Sequence, residues 1–284
     1  MTNEVREICE QLKYMQWHRR FYTKQINRQV NAGAALIRRE MYLAGLLEAG
    51  DNETGIKDPK GIAVKTVMAI LNDKEPPDDC PKDIVTKLMR QITSMVTGVA
   101  PTMMERDATE DNMRKLSQKL PAWLWVKGVR GFGPLGFAAI VGTSGDISNY
   151  PNPDKLKKRL GLSVFDGKAY STWRMKGGLS SDDWTEAHYD PKARSVVFAD
   201  VEDSMMKGQF LGKAKTESGE TEARGPYGAL FLAYQSKDKE RNPDFSPKYL
   251  QMRARRYMAQ QLIIDLWCQW HGKPRHGRDT LHAA

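Results

Sequence analysis

Val5, Ile8, Leu12, Met15, Tyr22 and Ile26 recur at alternating intervals of three and four residues, with Arg19 at the one skipped position. This spacing is an a/d seam, and it commits residues 3–48 to a single long helix whose apolar face must meet another helix. Two partners satisfy it. A second copy of the chain would make a homo-oligomer through the N-terminal helix, and a helical hairpin would close it within one subunit. Arg6, Lys13, Arg19, Arg20, Lys24 and Arg28 flank the seam, so the same helix can also lie beside phosphate.

The rest of the chain reads as helical too. Gly50-Asp51-Asn52 ends the first helix, and residues 61–72 suit a short amphipathic one. The acidic, proline-rich stretch 73–83 is a rigid connection. A helix starting at Pro81 or Asp83 runs through Ile84, Leu88, Ile92 and Met95, and Pro101 opens a further one toward Leu120. The best strand signal is a hairpin over 163–173 around Asp166-Gly167. Further helices are expected over Lys192–Lys207, from Pro226, and over Lys248–Trp270, with 208–225 a polar loop. The fold class is therefore mainly α, with at most a small β-hairpin. Its regions are a long helix at 1–50, a helical segment at 51–115, a larger helical domain at 116–270 and a basic, disordered tail at 271–284.

Composition narrows the function. The chain has 44 Lys and Arg against 35 Asp and Glu, a net charge of +9. The excess is localised. Lys115, Lys119, Lys127, Arg130, Lys155, Lys157, Lys158 and Arg159 face only Asp146 and Asp154 in their segment, and the stretch Lys248–Arg278 contains a single acid, Asp265. Two basic segments on a near-neutral body point to a polyanion, most simply nucleic acid. The three cysteines, Cys9, Cys80 and Cys268, form no CxxC pair and no disulfide framework. No apolar run has bilayer length, and the first residues carry no secretory apolar region. A cytoplasmic protein without a membrane contact is expected.

The most informative stretch is 120–162. Its centre, Val129-Arg130-Gly131-Phe132-Gly133-Pro134, fits a helix-hairpin-helix: an apolar helix with Trp123, Leu124 and Val126, a tight turn, then an apolar helix opened by Pro134. Glycines let the backbone turn and approach a ligand. The amides at the start of the second helix lack intrahelical partners and sit at its positive end, so they suit a phosphate without reading a base. Lys127 and Arg130 would add side-chain contacts. Phe132 lies in the candidate site by position and reads as the plug of the turn. The Asn152-Pro153-Asp154 helix start that follows leads into a basic face of Lys155, Lys157, Lys158 and Arg159. Arg253, Arg255 and Arg256 are the candidate contacts of the second basic segment.

This run resembles the C-terminal transposase domain of the insertion-sequence-110, 116 and 902 transposases. Gly131, Gly133, Pro134, Ala138, Ala139, Gly145, Asp146, Ile147, Tyr150, Leu156 and Gly161-Leu162 fall on that family's pattern in order. A weaker match continues at Asp190–Arg194 and along Tyr249–Trp270. The resemblance implies a helix-hairpin-helix core and, in the family, a serine nucleophile. Ser171 is the nearest serine by spacing and Ser180 the alternative, with Arg174 and Arg194 placed to hold transition-state charge. The family's Ser-Gly step is missing here, and no counterpart of its RuvC-like, magnesium-binding domain precedes residue 120.

Other chemistry is sparse. Cys268, His271 and His276 have only loose metal-ligand spacing, and no nucleotide or metal motif appears, so no cofactor is expected. Asp182-Asp183 and Asp200, Glu202 and Asp203 read as cap and surface charges. Trp173, Trp184, Trp267 and Trp270 read as core or interface anchors. The expected function is a DNA-binding protein of a mobile element or prophage, holding duplex phosphates with little sequence readout and with structured RNA as a second polyanion. A serine recombinase or transposase subunit and a helical scaffold protein are the alternatives.

Overall fold

Among the described residues, five helices begin at a proline, a residue that fixes φ and needs no hydrogen-bond acceptor at the first helical position. The computed structural model describes residues 2–48, 57–58, 60–163, 190–211 and 222–275. Among them are ten α-helices: α1 (Asn3–Leu43), α2 (Ile62–Leu71), α3 (Lys82–Ser117), α4 (Trp123–Gly128), α5 (Pro134–Ser144), α6 (Pro153–Arg159), α7 (Pro191–Val196), α8 (Asp203–Gly208), α9 (Pro226–Arg241) and α10 (Pro247–His271). A 3-10 turn covers Ile147–Asn149, and a π-helical stretch, Val197–Glu202, joins α7 to α8. The fold is mainly α, as the periodicity predicts. The sheet among the described residues is a two-residue antiparallel pair, β1 (Phe210–Leu211) with β2 (Glu222–Ala223), and both strands lie within 208–225, the stretch read from sequence as loop. The hairpin expected around Asp166-Gly167 lies outside the described residues.

The chain divides into two compact units, Met1–Gln16 with Asp111–Ala284, and Trp17–Glu110. The division cuts α1 and α3 and does not set the long helix apart.

In the unit formed by Trp17–Glu110, Ile26, Val30, Ala34, Ile37 and Met41 of α1 are buried with Ile62, Ala63 and Val67 of α2 and Ile84, Leu88, Ile92 and Val99 of α3. Arg19, at the skipped seam position, is paired with Glu110 at 2.7 Å. The sequence predicts a helix boundary at Pro101, yet α3 runs through it. A proline inside a helix removes one backbone bond and crowds the preceding turn. Buried Val99 and partly buried Met103, packed in one core on either side of it, offset that loss.

The other unit packs around α5 and α10. Residues Gly136 through Gly142 of α5 are all buried, as expected for a helix apolar on every side. Ile8 and Leu12 of α1, Met113 of α3, Leu156 of α6 and Met258, Leu262 and Leu266 of α10 belong to the same core. The N-terminal seam is therefore filled from within the chain. Ile8, Leu12 and Ile26 are at most 5% exposed, so these seam positions are occupied within the chain, while Val5, Met15 and Tyr22 are half-buried.

The three cysteines are free and buried. Burial pushes the Cys9 thiol up to about 12 and raises that of Cys268, so neither is a poised nucleophile. No helix among the described residues is long and apolar enough to cross a membrane.

Candidate nucleic-acid interface

α4 ends at Gly128, and the chain reverses over Val129–Gly133 before α5 begins. The Val129 amide donates to Val126 O at 3.0 Å and the Phe132 amide to Val129 O at 3.1 Å. Phe132 is 1% exposed and packs edge-on against Trp125 and Phe137. It is the plug of the turn, and its place in the candidate contact set is corrected: a buried ring cannot touch a nucleic acid. Its burial contributes about 1.5–3 kcal/mol to holding the turn in place.

The two glycines of the turn do different work. Gly131 has φ +78°, and a Cβ there would lie 2.7 Å from Ser204 O and 2.9 Å from Met205 Cα. Its missing side chain admits α8, not a ligand, and the facing residue is Gly208, whose own Cβ would meet Gly131 backbone atoms. Gly133 stands on the open side. It is exposed, its φ is −85°, and nothing lies within 4 Å of where its Cβ would be. The first intrahelical donor of α5 is the Phe137 amide, which bonds Gly133 O at 3.1 Å. Pro134 has no N–H, so the amides of Leu135 and Gly136 are those left at the positive helix end.

Gln209, which no sequence motif singles out, fixes this turn. It is 1% exposed. Its Nε2 donates to Arg130 O at 2.7 Å and its Oε1 accepts from the Gly228 amide at 3.2 Å. One buried amide thus ties the hairpin to the start of α9. No local pattern marks Gly208-Gln209, because their partners lie far away in sequence.

Lys127 and Arg130 flank the turn and both are exposed, and Leu124, one helical turn before Lys127, is 85% exposed. The basic helix α6 starts as expected, with Asn152 Oδ1 accepting from the Lys155 amide at 3.1 Å. Its cations are not equivalent. Lys155 is exposed and Lys158 half-buried. Lys157 is paired with Asp154 at 2.7 Å. Arg159 lies 3.7 Å from Asp190 and reaches Thr143 O at 3.4 Å. Thr143 is near the far end of α5, about 15 Å from Gly133 at 1.5 Å per residue. The Arg159 guanidinium and the hairpin thus lie toward opposite ends of one buried helix.

The C-terminal arginines have another occupation. Arg253 makes two bonds to Asp238, at 2.6 and 3.0 Å, and lies over the Phe245 and Tyr249 rings. The bonds to Asp238 raise its proton affinity above an already high value. Arg256 donates to the carbonyls of Gly161, Leu162 and Ser163 at 3.2, 3.2 and 2.7 Å. Arg255 is paired with Asp203 and lies 3.7 Å from Glu202. All three are thus engaged within the chain, and a guanidinium engaged on both edges has few donors left for a ligand.

Glu202 is not the surface charge that the sequence suggests. It is fully buried in the π-helical stretch, with Arg194 2.8 Å away and Arg255 on its other oxygen. The Phe198 ring lies under both guanidinia, 5.7 and 4.6 Å away. Arg194 is thus occupied within the chain. Ser171, Arg174 and Ser180 lie outside the described residues, as do Trp173, Trp184, Asp182, Asp183 and His276. Trp267 and Trp270 are buried anchors, with Trp267 Nε1 donating to Tyr150 O at 2.8 Å.

Comparison with protein-family models, with curated proteins and with solved structures gave no match.

Proposed function

We propose that the α4–α5 hairpin holds a backbone phosphate of duplex DNA and that the chain binds duplex with little sequence readout. The observation that carries this reading is the open Gly133 at the start of an eleven-residue helix, flanked by exposed Lys127 and exposed Arg130. Backbone amides at a positive helix end accept an anion without regard to the neighbouring base. The second set of contacts is Lys155 and Lys158 of α6. The resemblance of residues 131–162 to a transposase domain supports placing this activity in a mobile element or prophage.

The test is the salt dependence of duplex affinity. Removing one phosphate contact flattens the slope of log K against log salt by about 0.9 on duplex DNA. The variant Lys127→Gln/Arg130→Gln/Lys155→Gln/Lys158→Gln is expected to flatten it by up to about 3.6 and to weaken binding alike on unrelated sequences. Neutralising Lys157 and Arg159, already paired with Asp154 and Asp190, is expected to change it less. An unchanged slope in the fourfold variant would return these cations to a solvated face.

A further inference from the structure

Opposite its buried seam, α1 exposes two aromatic rings and a run of cations. Within the Trp17–Glu110 unit, Trp17 is 63% and Phe21 45% exposed. Their rings are near parallel, at 10° with centroids 6.0 Å apart. Lys24 and Arg28 continue the same stripe at intervals of three and four residues, both exposed, and neither makes an ion pair among the described residues. Between Glu10 and Glu40 the helix carries no acidic residue and seven Lys or Arg. Isolated exposed apolar residues need no explanation. Two large parallel rings on an acid-free, basic helix do, since water-facing Trp and Phe forgo burial and the cations forgo partners.

Charge decides what covers this face. A second copy would bring the same unbroken run of cations against itself, and like charges in register repel. A lipid surface needs a broad apolar face, and here the stripe turns cationic after two rings while the opposite side of the helix is already buried in the chain's own core. A polyanion with planar groups satisfies both halves at once. We propose that this face of α1 binds single-stranded nucleic acid, with bases stacking on Trp17 and Phe21 and the following phosphates on Lys24 and Arg28. The stripe from Trp17 to Arg28 is about 16 Å long at 1.5 Å per residue. Bases in a duplex are stacked on one another and cannot offer a free face to the rings, so the site selects single strands. Neither contact involves the sugar 2′-hydroxyl, so DNA and RNA strands bind alike. None of its residues belongs to the hairpin.

The test uses the full chain and a fluorescein-labelled oligothymidylate, with oligouridylate as its ribose counterpart, read by anisotropy. Trp17→Ala/Phe21→Ala removes exposed side chains, so the circular dichroism spectrum is expected to stay unchanged. Affinity for both oligomers is expected to fall at least about 10-fold, while duplex affinity is retained. Lys24→Gln/Arg28→Gln is expected to flatten the salt slope on single strands by up to about 1.4. Gly133→Val gives the converse pattern, losing duplex and keeping oligothymidylate, so failure of either site is seen independently of the other. Unchanged oligomer affinity in the aromatic variant overturns the proposal. So does a wild-type dimer in sedimentation that the aromatic variant converts to monomer, which would assign the face to a second copy.

Discussion

Gly208→Val is expected to destabilise the chain by about 3 kcal/mol or more, the largest loss from adding atoms anywhere near the hairpin. A Cβ at position 208 would fall on the Gly131 Cα and, at 2.5 Å, on its amide nitrogen. Backbone does not rotate aside as a flexible side chain does. The helix could retreat only by breaking the bond from Gln209 to Arg130 O and its partner bond to Gly228. Gly131→Ala meets the reciprocal obstacle, Ser204 O at 2.7 Å, together with an unfavourable positive φ. Gly133→Val is the control, because its φ of −85° suits any residue and no neighbour lies within 4 Å. Its stability is expected to stay within about 0.5 kcal/mol of wild type. Chemical denaturation measures all three. A loss under about 1 kcal/mol for Gly208→Val would show that the glycine crossing is not close.

Removing Glu202 is expected to cost about 3–5 kcal/mol, because it leaves two buried guanidinia without their shared carboxylate. Arg194 and Arg255 have side chains only 14% and 13% exposed, and Glu202 has none exposed at all. Glu202→Ala therefore leaves Arg194 without a carboxylate in a site that water hardly reaches and Arg255 with Asp203 alone. Arg255→Ala is expected to act in the same direction through the remaining imbalance. Neither effect should depend on added DNA. If Glu202→Ala melts with the wild type, the two arginines are solvated in solution and the π-helical stretch does not depend on their carboxylate.

Local signals are legible in the sequence and distant ones are not. Pro134, Pro153, Pro191, Pro226 and Pro247 each stand in the first turn of a helix, and the Asn152 cap can be read because its acceptor lies three residues from its donor. The a/d seam announces a helix pairing but not its partner, since apolar spacing is the same against a second copy or against α3. Pro101 misleads because packing on both sides outweighs a local helix breaker. Arg253 and Arg256 read as free charge because Asp238 and the Gly161–Ser163 carbonyls are remote in sequence. In the candidate site, the pattern Gly131-Phe132-Gly133 locates the turn and the burial of Phe132. It cannot divide the labour between the two glycines, since that depends on Gly208.

That division also sets the decisive measurement. Duplex affinity of wild type and Gly133→Val should be compared at matched salt, with the melting temperature of each recorded. If Gly133 is where a phosphate approaches the α5 amides, a branched side chain blocks that approach. Affinity then falls at least about 10-fold, the scale of one charge-assisted hydrogen bond, while the melting temperature stays where it was. Equal duplex affinity in the two proteins, with both folded, would contradict the account, leaving the hairpin as a structural turn between two core helices.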